Sequence, residues 1–381
     1  MSYSDLLGHR DMAFDPVKNA GYMAALDRLV TPETVVLDLG CGLASHGLYA
    51  ALRGAKHVYL VDPEVAVEVA REVARHNGLS DRVTAIRGRI EEIDLPEKVD
   101  LIISVFTGNM LYSEDLLPSL YLARDRWLKP GGHLVPDCCE LRVAPISAPK
   151  VWQREVGDWS LPKHGLDYRA LRRYAANALV GCRDADDGLT LLASPMSIET
   201  ADFTTATGTD LDTAYRFEIT RSGDCHGLLA WIRFRTGDRW LETGPQATMH
   251  WTPQLLPIDP PFAVAAGDPL EGRLHRKTWG EWTWSLRLRN ESRRQSTFLS
   301  QPLSARRLAG AAPGATLPLN RDGMIAYRIL AGFAAGESNE AIARSLLASD
   351  ARRYATGLEA ALQEVKEWAI SFRGGTSVEA S

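Results

Sequence analysis

From Glu33 to about Pro136, short β-branched runs alternate with longer stretches of helical spacing. Thr34 to Asp38, His57 to Val61, Val83 to Ile86, Leu101 to Ser104 and His133 to Val135 have the length and composition of strands. Between them, Ser45 to Arg53, Glu64 to Asn77 and Leu117 to Leu128 repeat apolar residues at helical intervals, with Gly78 and Lys129-Pro130-Gly131-Gly132 as stops. This alternation predicts a parallel, doubly wound sheet.

After Pro136 the period changes. Between about Leu141 and Leu299 come short alternating runs separated by turn residues, among them Ser197 to Phe203, Ala214 to Thr220, Gly227 to Arg235 and Trp282 to Leu288. They predict an antiparallel barrel or sandwich. Leu166 to Leu179 breaks the pattern with helical spacing, so a helical insertion is expected within about 163–187. Arg306 to Pro318, rich in Ala, Gly and Pro, reads as a linker. Beyond it, Met324 to Ala335, Asn339 to Leu347 and Ala351 to Phe372 predict a small helical unit. The expected division is an N-terminal segment 1–30, an α/β domain 31–137, a β domain 138–300, a linker 301–318 and a helical domain 319–381.

Composition narrows the field of partners. The 381 residues are 45% hydrophobic and 24% charged, enough to build two or three domains without external staples. The formal net charge of −5 provides no global basic field, which makes nucleic acid an unexpected partner. Cys41, Cys138, Cys139, Cys182 and Cys225 have no metal-type spacing, so no metal is expected and the thiols suggest a cytoplasmic protein. With no signal-peptide pattern and no apolar run near about 18 residues, neither export nor a membrane span is expected.

The strongest chemical signal is VVLDLGCGLASHG, Val35 to Gly47. A strand ends in Asp38, and the Gly40-Cys41-Gly42 turn lets the backbone approach a ligand closely. Gly-rich turns also cradle phosphates, so the turn by itself does not choose a cofactor. Position 44 is Ala, which breaks the strict dinucleotide register, and no Gly-Lys-Ser/Thr follows, which removes the P-loop. Asp62, ending the second strand, is placed to accept from two ribose hydroxyls, and Glu91-Glu92 follow the third strand, where an acid can take an adenine amine. The set points to S-adenosylmethionine, with another nucleotide on a Rossmann-like sheet ranked below it.

The segments VVLDLGCG, GRIEEIDLPEKVDLIIS, LYLARDRWLKPGGHLVPD, MHWTP and GDPLEGRL resemble the protein arginine methyltransferases over roughly Tyr3 to Leu288. The resemblance implies a Rossmann-like S-adenosylmethionine domain, an antiparallel β-barrel, and a helical arm, here Leu166 to Leu179, that forms a homodimer. It implies an N-terminal segment closing over the cofactor, with Tyr3, His9, Met12, Asp15, Lys18 and Tyr22 at the family's spacing. Lys18 stands where the family grips the methionine carboxylate with arginine, keeping the charge and losing the bidentate fork. Gly40, Gly42 and Asp38 are assigned to the methionine end, Asp62 to the ribose, Glu91 to the adenine, and His250 to a contact with Asp15. His9 and Met12 join the cofactor set, and Tyr3, Asn109 and Trp251 the acceptor set.

The family clamps its guanidinium between two glutamates on the loop after the fourth strand, which offsets a charge that is costly to desolvate. Ungapped placement of DLIISVFTGNMLYSEDLL puts the second glutamate on Glu114 and the first on Val105, with Phe106 beside it. Arginine is weakened as acceptor unless Asp115 fills in, since unpaired donors of a buried charged group cost about 1–3 kcal/mol or more. The expected activity is methyl transfer to a nitrogen of a peptide or protein side chain, an imidazole or amine included, with Glu114 as anchor and base. A small-molecule methyltransferase and a non-catalytic binding protein are the alternatives. LPLNRDGMIAYRILAGFAAGESNEAIARSLL resembles the small winged-helix modules of the PqqD type, which bind leader peptides, and shares features with DNA-binding helix-turn-helix units.

Overall fold

The computed structural model describes residues 9–183, 188–310, 312, 314, 316 and 318–372. The chain divides into two compact units, Met1–Pro302 and Leu303–Ser381. Tyr3 lies outside the described residues, as do Asp184 to Asp187 of the expected arm.

The first unit begins with a short helix, α1 (Arg10–Ala13), and a long one, α2 (Pro16–Leu29). Asp15 caps α2 by accepting from the Val17 and Lys18 amides at 3.1 and 2.9 Å, and Pro16 supplies a helical φ at the first position. The buried stripe of α2 runs Lys18, Gly21, Tyr22, Ala25 and Leu26, so a cation begins an otherwise uncharged face. Gly21 packs so closely that a Cβ there would meet Leu241 at 2.4 Å. Tyr22, fully buried, donates to the Ser104 carbonyl at 2.8 Å.

Five strands follow, β1 (Val35–Leu39), β2 (His57–Asp62), β3 (Val83–Arg87), β4 (Val99–Ser104) and β5 (Leu128–Val135), all parallel in the order β3-β2-β1-β4-β5. Helices α3 (Ser45–Leu52), α4 (Ala66–His76) and α5 (Leu117–Trp127) make three of the four connections, and β3 joins β4 without a helix. This is the expected parallel sheet. The chain reverses direction across the sheet at β1 and β4, which opens a crevice at their carboxyl ends. Both strands are almost wholly apolar in their buried parts, as strands covered on two faces must be. β5 starts earlier than expected, because Leu128 pairs with Val99 and a bulge then absorbs the Pro130-Gly131-Gly132 stretch.

The antiparallel part comprises β6 (Cys138–Ser147), β7 (Val180–Gly181), β8 (Thr190–Leu191), β9 (Met196–Asp202), β10 (Leu211–Glu218), β11 (Gly223–Thr236), β12 (Arg239–Glu242), β13 (Gln254–Val264), β14 (Pro269–Arg276), β15 (Thr283–Leu288) and β16 (Glu291–Ser296). They form one sheet around β13-β11-β6 and a second ordered β10-β14-β15-β16. A single apolar cluster runs from the parallel sheet into both, from Val35 and Leu101 to Trp284 and Leu286.

The arm differs from expectation. Before it come α6 (Pro149–Glu155) and a 3-10 turn at Gly157–Ser160, and within it the helix expected over Leu166 to Leu179 shrinks to its middle, α7 (Arg169–Ala175). The Arg169 amide donates to Asp167 Oδ1 at 2.9 Å, a side-chain turn that delays the helix start. Arg172 fastens α7 to the barrel through Asp259 on β13 and to the 3-10 turn through Ser160.

In the second unit, α8 (Ala305–Gly310) occupies part of the expected linker, and α9 (Arg321–Ala334), α10 (Asn339–Ser349) and α11 (Leu358–Phe372) enclose a core of Ile325, Ile329, Ile342, Leu346 and Val365. The helix expected from Ala351 begins only at Leu358, after a run of turns. Among the described residues of this unit there is no strand, and therefore no wing.

Candidate active site

A cavity of about 330 Å3 lies at the carboxyl ends of β1, β2 and β4, roofed by α1, the start of α2 and the loop before β13. Twelve of the residues singled out in the sequence line it. His9, Met12 and Lys18 come from the N-terminal segment, Asp38, Gly40, Gly42 and Asp62 from the strand ends, Val105, Phe106 and Glu114 from the loop after β4, and His250 and Trp251 from the roof.

Gly40 and Gly42 both have positive φ, +65° and +51°. A Cβ on Gly40 would sit 2.2 Å from the Phe106 ring, and one on Gly42 3.1 Å from His9 Nδ1, so the turn is closed on both sides by side chains of the site. Ala44 also holds a left-handed conformation, φ 58° and ψ 33°, where the strict motif has glycine. Gly47 is required for a different reason: its amide donates to Asp38 Oδ2 at 2.8 Å, and a Cβ would meet Leu60 at 2.5 Å.

The charges converge on one end. Lys18 is buried and donates from Nζ to the Met12 carbonyl at 2.7 Å. Burial lowers its pKa to about 8, with Asp15 and Asp38 opposing. Burial raises the Asp38 pKa to about 7, and the neighbouring Asp62 adds to the rise, while the Gly47 amide and Lys18 oppose it. Asp62 accepts from the Gly42 amide through Oδ2 and the Glu64 amide through Oδ1, both at 2.8 Å. An ionised carboxylate has about four acceptor positions, so two remain for ribose hydroxyls. A buried ammonium, two inward carboxylates and a closed glycine turn fit the zwitterionic and ribose portions of S-adenosylmethionine. Among the described residues no group of three or more His, Cys, Asp or Glu is placed to hold a metal ion.

Asp15 reaches His250 across the chain. Its Oδ2 lies 2.8 Å from both the His250 amide and His250 Nδ1, while Oδ1 caps α2. Burial opposes ionisation of Asp15, but hydrogen bonds from the Lys18 amide and from His250 prevail and hold its pKa below the usual value. Burial lowers the pKa of His250. Trp251 packs edge-on against Phe234 with centroids 5.3 Å apart, joining the roof to the core.

Two sequence-singled residues stand elsewhere. Glu91 is outside the cavity, its carboxylate accepting from Ser119 Oγ. Asn109 accepts from the Thr252 amide at 2.9 Å, tying the loop after β4 to the roof instead of lining the cavity. Asp115, considered as a replacement for the missing clamp acid, is committed: its carboxylate takes both terminal nitrogens of Arg276, one at 2.9 Å, and the Trp279 amide at 3.0 Å.

Other contributors carried no local sequence signal. Arg183, from the end of the arm region, donates to the carbonyls of Met249, His250 and Trp251 at 2.9, 3.1 and 2.9 Å, and to Thr252 Oγ1 at 3.0 Å. One guanidinium thus shapes the whole roof loop. His46 and Glu64 also line the cavity.

The same architecture recurs in known proteins. Residues 31–168 match the family described as methyltransferase domain, and residues 137–289 the arginine methyltransferase oligomerization subdomain. Protein arginine N-methyltransferase 1 of Schizosaccharomyces pombe is 33% identical over 72% of this chain and 82% of its own length. The chain belongs to the protein arginine methyltransferase family. The probable histone-arginine methyltransferase CARM1 of Oryza sativa subsp. indica is 35% identical over 72% of the chain, which spans about half, 55%, of that relative. The Trypanosoma brucei PRMT1 enzyme-prozyme heterotetrameric complex with AdoHcy matches with a TM-score of 0.69 at 25% identity, over 78% of this chain and 99% of that one. Arabidopsis thaliana protein arginine methyltransferase 10 shares the fold, with a TM-score of 0.65 over 78% of this chain and 99% of its own.

Proposed function

We propose that this family member transfers a methyl group from S-adenosylmethionine to a nitrogen of a peptide or protein side chain, with arginine weakened as the acceptor and an imidazole or an amine favoured over it. The observation that carries the reading is the acceptor side of the cavity, where Glu114 shares the lining with Val105 and Phe106 while Asp115 is held by Arg276. One carboxylate there suits an acceptor that presents one polar nitrogen, and a guanidinium would leave donors unpaired against an apolar wall. The cofactor supplies a methyl already activated on a sulfonium, so the chain has only to align the nitrogen and take its proton.

In this reading Lys18 and Asp38 hold the amino-acid end of the cofactor, Asp62 the ribose, and Phe106 packs over the Gly40 turn. Asp15, with His250, closes the N-terminal segment over the cavity, and Glu114 orients the acceptor and receives its proton. Trp159, Leu161, Leu166 and Leu171, all exposed on the arm, support a homodimer, as does the match to an oligomerization subdomain. The five cysteines, none in a disulfide among the described residues, are in keeping with a cytoplasmic location.

The test is transfer of labelled methyl to peptides that present a single Arg, His or Lys. His or Lys should be labelled faster than Arg, and Val105→Glu should raise arginine labelling by about tenfold or more, the worth of one charged hydrogen-bonding partner. Arginine preferred by the unaltered chain would overturn the acceptor assignment. Labelling of free amines but of no peptide would place the enzyme in small-molecule metabolism.

A further inference from the structure

The cavity contains a titratable group that the methyl transfer above does not use. His46, at the second position of α3, is 5% exposed, lines the cavity and lies within electrostatic reach of Lys18. Its ring stacks flat on Tyr22, with centroids 4.3 Å apart and planes 11° from parallel. Its Nε2 is 3.1 Å from Asn19 Oδ1.

The neighbours fix its protonation. Asn19 donates from Nδ2 to the Ala13 carbonyl at 2.7 Å, which turns its oxygen toward the imidazole. An amide oxygen only accepts, so Nε2 carries the proton. Burial, helped by Lys18, lowers the His46 pKa to about 3, so the ring is neutral. Nδ1 is left as a lone-pair acceptor in a ring that Tyr22 and Asn19 hold still, and among the described residues no donor reaches it. Nδ1 is not among the buried atoms left without a partner, so on a residue that lines the cavity it is an acceptor still accessible to a donor from a ligand. A carboxylate is excluded from that position by lone-pair repulsion, whereas an ammonium fits.

We propose that His46 Nδ1 accepts a hydrogen bond from the α-ammonium of the cofactor's amino-acid end, so that Lys18 takes the carboxylate and His46 the ammonium. This deepens the reading that the cavity is the S-adenosylmethionine site and rests on it. It also gives a reason why Lys18 suffices where the family uses a forked arginine: part of the recognition of the zwitterion moves to its other end.

Calorimetry with S-adenosylhomocysteine and with its analogue bearing hydrogen in place of the α-ammonium separates the possibilities. His46→Leu should weaken S-adenosylhomocysteine by about tenfold or more while changing the analogue far less. His46→Asn, whose amide oxygen stands near the Nδ1 position, should recover most of the loss, and His46→Gln, which mimics Nε2, should not. These two polar variants decide the matter if the leucine variant does not fold. Equal losses for both ligands, or unchanged affinity in a folded His46→Leu protein, would make His46 a packing residue only. Failure of the unaltered chain to bind either ligand would remove the cofactor site itself, and the His46 assignment with it.

Discussion

The two halves of the cavity are built by different means. On the proposed cofactor side the ligand's place is framed by backbone, with positive-φ glycines, amides that orient Asp38 and Asp62, and strand ends fixed by a buried sheet, and this frame positions the side chains assigned to the cofactor. On the acceptor side it is met by single side chains on a loop, and there Val105 and Asn109 depart from the family pattern. Backbone geometry is shared among many residues and, outside the closely packed glycines, tolerates change at single positions. A side-chain clamp has no such redundancy, so one substitution alters what it accepts.

The largest effect expected from this contrast lies at Glu114. Glu114→Gln removes the proton acceptor and keeps the shape, so turnover should fall about 10²- to 10⁴-fold. S-adenosylhomocysteine affinity, measured by calorimetry, should stay the same because that half of the site is built elsewhere. A loss of cofactor affinity comparable to the loss of turnover would break the separation between the halves.

The next effect concerns what supports the acceptor loop. Arg276 has a side chain only 4% exposed, paired with Asp115, and its Nε is buried without a hydrogen-bond partner. Asp115→Asn keeps a residue tolerant of the left-handed φ of 54° but leaves the guanidinium without a counter-charge. Denaturant unfolding should show a loss of about 3 kcal/mol, since breaking one partner of a buried pair strands the other. A variant as stable as the parent would mean that Arg276 finds another acid, and that Asp115 was available to the acceptor after all.

A third effect belongs to the cofactor half and reads out in pH. The Asp38 carboxyl has its pKa raised to about 7 in the folded state, from an ordinary 3.8. The folded protein therefore holds a proton between those values that the unfolded chain has released, and stability falls as pH rises through that window. Asp38→Asn can still accept from the Gly47 amide but does not titrate. Its Tm relative to the parent should rise by several degrees between pH 4 and pH 7 and then level off. A difference that stays flat across the window would show that Lys18 already neutralises Asp38.

How much of this was legible in the sequence follows the same division. The parallel sheet and the glycine turn are local patterns, and β1, β2 and β4 lie within two residues of where periodicity places them. Asp15 and His250 are 235 positions apart, so only a family pattern known from both ends brings them together. The spacing after β3 offers the pair Glu91-Glu92, and only the resemblance selects Glu91 for the adenine; its carboxylate accepts from Ser119 Oγ, a contact that spacing does not reveal. Arg183 and His46 carry no local signal because what makes them matter is tertiary: the carbonyls Arg183 collects lie more than sixty positions away, and His46 meets Asn19 across 27 positions. Apolar spacing extends the arm helix beyond its true ends because it does not register the side-chain turn at Asp167.

The smallest expected effect tests whether the cofactor half owes its tolerance to shared backbone geometry. Ala44 occupies a left-handed conformation that costs an L-residue roughly 1–2 kcal/mol, and its methyl is almost completely buried. Glycine would relieve the strain, but it would add about 0.5–1 kcal/mol of unfolded-state entropy and give up about 0.8 kcal/mol of methyl burial. The contributions nearly cancel, so Ala44→Gly should shift stability by less than about 0.5 kcal/mol in chemical denaturation. Cofactor affinity should be unchanged, because the turn before it is set by Gly40 and Gly42. A gain well above 1 kcal/mol, or tighter cofactor binding, would mean that the alanine holds the turn in a strained state, and that the backbone frame itself depends on an individual side chain.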